Sequence, residues 1–481
     1  MVGPRASSSF RVGKITVTET GKTSPMSERA ESSPSKVWVQ ETILTVCNAT
    51  TFKCRLVVVA SMHIALVSGE YPPRWGGIGS VVYHLAGHLA ARGHDVTIIT
   101  RRHKQAPPYQ PKVSVLQVAW LKAPMAFTRS YGKKALTELR RLNIVKPVDI
   151  VHTLLPLVSW TKKEYQWVEE HIAPVVSVLN GSWMGEREGM KLAARHKEAA
   201  TWKNPNDLAI LLTSGWYARY EQAAIEASSM CVSISQSTKQ EFEQWYNPPE
   251  QWNCETILYG VDHHVFRPVD HDHEEEQLAY EELRKTYDTA DDAALDGEAH
   301  TSTPMLLAVG RLVARKGHAT LLRAMPLILE QHPGARLVII GRGHMRKTLL
   351  KHAKRLGVAH AVYIQPGMSF QELALHFRSA DLVIYPSYYE GQGLIPLEAL
   401  ASGTPVVTVN QAPLTEMIDE EVGGLFACGD ATDLARVVNH SLSNPDQRVA
   451  QIEKGRKRVL NQYTYEHNAE AYEAIYESML E

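Results

Sequence analysis

Two glutamates in YEGQGLIPLEALASGTPVV, Glu390 and Glu398, stand with seven residues between them. The first lies among glycines and the second inside an apolar run. A glycoside hydrolase uses a carboxylate pair to cleave a sugar bond. Two carboxylates can equally accept hydrogen bonds from sugar hydroxyls and only hold them. The longer stretch DLVIYPSYYEGQGLIPLEALASG reads as strand, loop, helix, with Glu390 in the loop and Glu398 on the helix. Gly391–Ile395 can offer backbone N–H groups to a phosphate as the helix begins, and Pro396 suits the first turn. The two carboxylates then address different parts of one long ligand. For either residue alone, an acid near a helix start or an exposed helix position is the plain alternative.

Cations and a second glycine-rich loop enlarge the pattern. In VGRLVARKGHATLLRA, Arg311 and Lys316 follow the strand MLLAVG and precede a helix starting near Gly317. Two cations at the carboxyl edge of a sheet can neutralise a diphosphate; solvent-facing loop charges are the alternative. In GEYPPRWGGIGS, Gly76, Gly77 and Gly79 precede a helix, where backbone can approach an anion closely. A dinucleotide fingerprint should follow its strand almost directly. Here Tyr71–Gly76 intervene, Val82 holds the third-glycine place, and the next strand ends in Thr100-Arg101-Arg102 rather than an acid. Arginines there would suit NADP, so an NADP-dependent oxidoreductase stays as the rival reading.

Alternating strands and helices position these groups. Strands are expected at His63–Ser68, Asp95–Thr100, Val113–Trp120, Asp149–Leu155 and Pro174–Leu179, and again at Met305–Gly310, Arg336–Gly341, Ala361–Gln365, Asp381–Pro386 and Pro405–Val409. The pattern predicts two doubly wound α/β domains facing across a cleft. The expected boundaries are 62–258 for the first domain, 259–304 for a junction and linker, 305–460 for the second domain and 461–481 for a terminal helix. Val269–Pro304 holds twelve acidic residues against Arg284 and Lys285 and reads as a polar linker or surface insertion. Asp270-His271-Asp272 within it reads as solvated charge rather than a metal site.

Composition narrows the class. Lys+Arg 51 against Asp+Glu 52 gives no field for a nucleic-acid partner. Five scattered cysteines without CxxC fit a reducing, cytoplasmic setting, and no run approaches the roughly 20 apolar residues of a membrane span. Residues 1–61 are rich in Ser, Thr and Pro and read as a disordered extension. A native start at Met62, with the upstream part a mistaken extension, is the other reading.

Together, GGIG, YGVDHHVF, GRLVARKG and the E-x7-E stretch, in this order from Met62 onward, resemble the family 4 retaining glycosyltransferases of the GT-B fold. The resemblance implies transfer of a hexose-type sugar from a nucleotide sugar to an acceptor hydroxyl on a lipid, glycan or small molecule, with no metal and no further cofactor. It implies that Arg311 and Lys316 grip the donor diphosphate, approached by the Gly77 backbone, and that Glu390 holds donor sugar hydroxyls. Glu398 would bind the ribose and Leu394 pack beside the nucleoside. Gly391 and Gly393 belong to the same donor loop, and Pro366–Met368, with Gly367 and Met368, to the loop meeting the base. The terminal helix with Tyr463–Tyr465 resembles the one crossing back to the first domain. Three positions depart from the family pattern. Asn180 stands where a histidine is common, which leaves it a positioning role among the catalytic residues. Gln392 replaces an aromatic, and Tyr259 replaces the Asn before Gly-Val-Asp. These departures bear on donor-sugar identity, and Asn180 supports a catalytically inactive sugar-nucleotide-binding protein as a further alternative. The basic helix with Lys133, Lys134, Arg140 and Arg141 reads first as an exposed face and second as a peripheral contact with anionic lipid, as in lipid-directed relatives.

Overall fold

The computed structural model describes residues 42–46, 55–59, 61–73, 75–123, 125–198, 204–288 and 303–481. Most of the expected extension 1–61, and residues 289–302 of the expected linker, lie outside these. Within 1–61, β1 (Thr42–Val46) pairs antiparallel with β2 (Arg55–Val59), so that span carries a strand pair that composition alone did not suggest.

The first domain is built on β3 (His63–Val67), β4 (Asp95–Arg101), β5 (Val113–Val118), β6 (Ile150–Leu155), β7 (Val175–Leu179), β8 (Met230–Ser233) and β9 (Cys254–Thr256). Its helices are α1 (Gly77–Ala91), α2 (Ala126–Val145), α3 (Lys162–His171), α4 (Trp183–Arg195), α5 (Pro205–Ala227) and α6 (Gln236–Tyr246). The strands run parallel in the order β5-β4-β3-β6-β7-β8-β9. β3, β6, β7 and β8 are buried along their whole length, as continuous apolar runs covered on both faces must be. One face packs on α2 and α3 through Tyr131, Leu139, Tyr165 and Val168. The other packs on α1 through Val82, Leu85 and Leu89.

A helix, α7 (Glu274–Tyr287), occupies much of what the charge run suggested was linker. Its inner face carries Arg284 and Tyr287, both buried. Arg284 pairs with Asp381 at 2.6 Å and donates to the carbonyl oxygens of Ser379 and Thr303, tying the helix to the second domain. The acidic residues lie on its solvent side and at its N-terminus, where they favour the helix dipole.

The second domain contains β10 (Met305–Val309), β11 (Arg336–Ile340), β12 (Val362–Gln365), β13 (Leu382–Tyr385), β14 (Val406–Val409) and β15 (Gly423–Phe426), all parallel in the order β12-β11-β10-β13-β14-β15. Its helices are α8 (His318–Gln331), α9 (Arg346–Arg355), α10 (Phe370–Ser379), α11 (Leu394–Ala401), α12 (Ala431–Ser443) and α13 (Pro445–Gln462). α14 (Tyr465–Leu480) leaves this domain and packs Tyr465, Tyr472 and Tyr476 into the core of the first. Tyr476 meets His152 at 2.6 Å, and Glu473 meets His94 at 2.8 Å.

The sheet orders locate the site. In the second domain the strand order reverses between β10 and β13, which pair through Leu306–Leu382 and Leu307–Val383. Connections leaving these neighbours diverge to opposite faces and open a crevice at their carboxyl ends. Arg311 and Lys316 follow β10, and Glu390 follows β13. The corresponding reversal in the first domain lies between β3 and β6, and the loop from β3 leads to Gly77.

Candidate active site

Lys316 and Glu390 form a contact pair, and each side chain is only 11% exposed. Tyr385, at the end of β13, donates to Glu390 Oε1 at 2.7 Å, and Lys316 Nζ donates to the Tyr385 oxygen at 2.8 Å. Burial alone would raise the Glu390 carboxyl, but Lys316 and Arg315 outweigh it and hold it below its ordinary value. Burial, with help from Arg315 and Arg311, brings the Lys316 ammonium down to about 8. Both groups therefore stay ionised at neutral pH. Gly317, with φ +70°, turns the chain into α8; a Cβ there would run into the Pro386 carbonyl. That close approach brings Lys316 beside the β13 loop.

Arg311 lies close enough to Lys316 to act on its charge, and it also borders the first domain. Arg311 is exposed and lines a cavity with Glu186, Met190, Asp207 and Ile210 of the first domain. Besides Lys316, the cation acting on Glu390 is Arg315, which sequence reasoning missed. Its Nε donates to Glu186 at 3.1 Å and its guanidinium to the Tyr389 carbonyl at 3.3 Å. A third basic residue in GRLVARKG was the available signal.

Three helix N-termini face this region, and they differ. The first amides of α8, Ala319 and Thr320, donate to the Glu198 carboxylate of the first domain at 2.9 and 2.7 Å. That terminus is occupied. α1, entered through Gly76, and α11, entered through Gly393 at φ +102°, have no side-chain cap. A Cβ at Gly77 would meet nothing within 4 Å, so space is open over the start of α1. The uncapped start of α11 adjoins Glu390. One turn further along α11, Glu398 is 9% exposed and its Oε2 has no hydrogen-bond partner. Burial pushes its carboxyl up to about 8. A buried acceptor left unpaired is costly, and such a group is satisfied by a ligand that brings donors to it. Leu394, partly buried, reaches across to the core of the first domain. The 366–368 loop lies beside Arg342, which donates to the Gly367 carbonyl at 3.2 Å, and Met368 packs on the second-domain core.

The three departures from the family pattern form one connected network. Gln392, 2% exposed, accepts from the Tyr259 N–H at 2.8 Å and donates to its carbonyl at 3.1 Å. The Tyr259 hydroxyl donates to Asn180 Oδ1. The Asn180 amide donates to the Leu155 carbonyl at 2.8 Å and towards that of Val178 at 3.3 Å. Gln392 is therefore a clip between the Glu390 loop and the interdomain junction. Asn180, expected among the catalytic residues, spends its side chain on ties within the protein. Its backbone is what approaches the Glu390 loop: a Cβ at Gly391 would collide with the Asn180 carbonyl.

The same loop is fastened to the first domain elsewhere. The Gly391 carbonyl accepts from Ser235 and Thr238 at 2.7 and 2.8 Å. Tyr389 donates to Glu241 at 2.9 Å and accepts from the Ser182 N–H at 2.9 Å. Of the two arginines on which the dinucleotide rival rests, Arg101 is buried, donates to the Gly69 carbonyl and lies over the rings of Trp120 and Phe127 at 4.9 and 4.6 Å, whereas Arg102 is exposed. No helix among the described residues is long and apolar enough to cross a membrane.

Comparisons agree with this architecture. Residues 75–265 match glycosyltransferase family 4, and residues 296–458 match the glycosyl transferases group 1. An uncharacterized glycosyltransferase of Methanocaldococcus jannaschii is 29% identical over 431 residues, covering 87% of this chain and 99% of that protein. A GDP-mannose-dependent alpha-(1-6)-phosphatidylinositol monomannoside mannosyltransferase of Mycobacterium tuberculosis is 27% identical over 416 residues, covering 84% of this chain and 95% of that protein. Among solved structures, a sucrose-phosphate synthase from Thermosynechococcus elongatus superposes with a TM-score of 0.69 at 21% identity, covering 87% of this chain and 98% of that one. With both halves matched and two doubly wound domains meeting at the Glu390 loop, the chain belongs to the family 4 glycosyltransferases of the GT-B fold.

Proposed function

We propose that this enzyme transfers a hexose from a nucleoside-diphosphate sugar to an acceptor hydroxyl with retention of anomeric configuration. The observation that carries this reading is the uncapped start of α11, set between the Lys316–Glu390 pair and the unpartnered Glu398 carboxyl. The diphosphate lies on the α11 amides beside Lys316, with Arg311 and the Gly77 backbone closing over it. Glu390 accepts from sugar hydroxyls and Glu398 from the ribose. Leu394 packs beside the nucleoside, and Gly367 and Met368 border the base. The mannosyltransferase relative draws, by its name, on GDP-mannose, which supports a hexose donor.

The bond from the anomeric carbon to the diphosphate oxygen breaks as the acceptor oxygen attacks from the same face. The acceptor proton passes to the departing phosphate oxygen. Lys316 and the α11 amides stabilise the charge that develops there. Incubation with a nucleotide sugar and no acceptor should release sugar slowly, and proton NMR should find the donor's anomeric configuration in the first product. An inverted product would contradict retention. A sugar trapped covalently on the enzyme would contradict same-face attack. Tight donor binding without any turnover would return the inactive binding protein.

We also propose a peripheral membrane contact at α2. Its outward face carries Lys133, Lys134 and Arg141, and Ile144 and Val145 at its end are 84% and 86% exposed. Arg140 instead lies over Trp167 at 3.8 Å. Flotation with anionic vesicles should be weakened in Lys133→Glu/Lys134→Glu; unchanged flotation would remove this contact.

A further inference from the structure

Where the chain passes between the domains it carries Asp262-His263-His264, and where it returns Glu466 opens α14. A bridge between Val261 and Thr464 holds the two crossings side by side. His263 Nδ1 lies 3.9 Å from Glu466 Oε2, and His264 Nε2 lies 3.9 Å from Glu466 Oε1. The two imidazoles are 4.1 Å apart between centroids. All three residues offer a ligand atom within 4.8 Å of the others, the one such group among the described residues.

We propose that His263, His264 and Glu466 bind a zinc-class divalent ion that staples the two interdomain crossings. Imidazole nitrogen and carboxylate oxygen bind zinc at about 2.0–2.2 Å, which sets tetrahedral donors roughly 3.5 Å apart. The present spacing, within 4.8 Å, is wider by about 1.3 Å at most. His264 and Glu466, with side chains 78% and 45% exposed, are free to rotate inward. Asp262 Oδ1 accepts from the His264 and Val265 N–H groups at 3.1 Å each and fixes the turn that presents both rings. Two nitrogen donors select zinc, cobalt or nickel over magnesium, which prefers oxygen.

The site has a structural consequence and lies outside the donor crevice. Tyr465, next to Glu466, stacks on His84 of α1 at 4.4 Å between centroids. An ion at Glu466 would therefore fix the start of α14 against the first domain. The test is calorimetric titration of the chelator-treated full chain with zinc chloride, with magnesium chloride as control, in wild type, His264→Ala and Glu466→Gln. Both variants change exposed side chains, and matching melting curves without metal will show that they fold. One zinc per chain is expected, weakened at least about tenfold in each variant. Cobalt(II) should give visible d–d absorption in the wild type and lose it in His264→Ala. No zinc uptake, or uptake unchanged in the variants, as binding through His271 and His273 would give, overturns the proposal.

Discussion

Gln392 grips both backbone groups of Tyr259, accepting from its N–H at 2.8 Å and donating to its carbonyl at 3.1 Å. The two residues come from different domains' ends of the chain, and the clasp holds the loop that carries Glu390 against the junction. Gln392→Leu should leave the buried N–H and carbonyl of Tyr259 unpaired and cost about 1–3 kcal/mol. Urea unfolding measures the loss. The preference among donor sugars should not change, and a changed preference would place Gln392 at the sugar after all.

Lys316 and Glu390 are a buried pair whose halves cannot be removed singly at low cost. Lys316→Met should destabilise the protein by about 3–5 kcal/mol because it strands the Glu390 charge. The double variant Lys316→Met/Glu390→Gln should recover most of that stability in denaturant titrations and recover no turnover. Recovery of activity in the double variant would remove both residues from the reaction.

Each domain caps a helix of the other. Glu198 of the first accepts from the opening amides of α8, and Glu416 of the second accepts from Gln236 and Ser237 N–H at 2.9 and 2.7 Å, opening α6. Loss of a cap costs about 0.5–2 kcal/mol. Glu198→Ala and Glu416→Ala should each speed amide hydrogen exchange in the first turns of both α6 and α8, because both caps hold one closed arrangement. Faster exchange confined to the helix that lost its own cap would show that the caps act separately.

Glu398 gives the site a pH signature. Its carboxyl ionises near 4.5 in the unfolded chain and near 8 in the fold, through burial. Its contribution to stability is therefore full below pH 4.5 and is lost as pH rises to about 8. Glu398→Gln should flatten that fall in melting temperature. A ribose donating to the carboxylate requires the ionised form, so nucleotide binding at pH 7 should release a proton. Calorimetry in buffers of different ionisation enthalpy detects it, and Glu398→Gln should abolish it.

Much of this was legible in the chain itself. MLLAVG, RLVIIG and DLVIYP are short apolar runs bounded by glycine or proline, and they became the central parallel strands β10, β11 and β13. E-x7-E kept its strand-loop-helix setting because Gly393 and Pro396 locally enforce the turn and the helix start. α7 was hidden because its acidic run dominates composition, while its packing rests on a few residues, among them Leu283, Arg284 and Tyr287, and on the pairing of Glu276 with Arg267 and Arg378. Partners of Gln392, Glu198 and Tyr389 were not legible at all. They lie 133, 121 and 207 residues away in sequence, and no local pattern encodes such contacts.

The central claim is that Lys316, Glu390, Glu398 and the α11 amides hold one nucleotide sugar. A thermal-shift screen of UDP-, GDP- and ADP-sugars tests it most directly, since a ligand bound to the folded form raises the melting temperature by mass action. At least one nucleotide sugar should stabilise the wild type, and Glu398→Gln should weaken the shift. A screen in which no nucleotide sugar shifts the wild type, or in which the shift survives unchanged in Glu398→Gln and in Lys316→Met/Glu390→Gln, would contradict it.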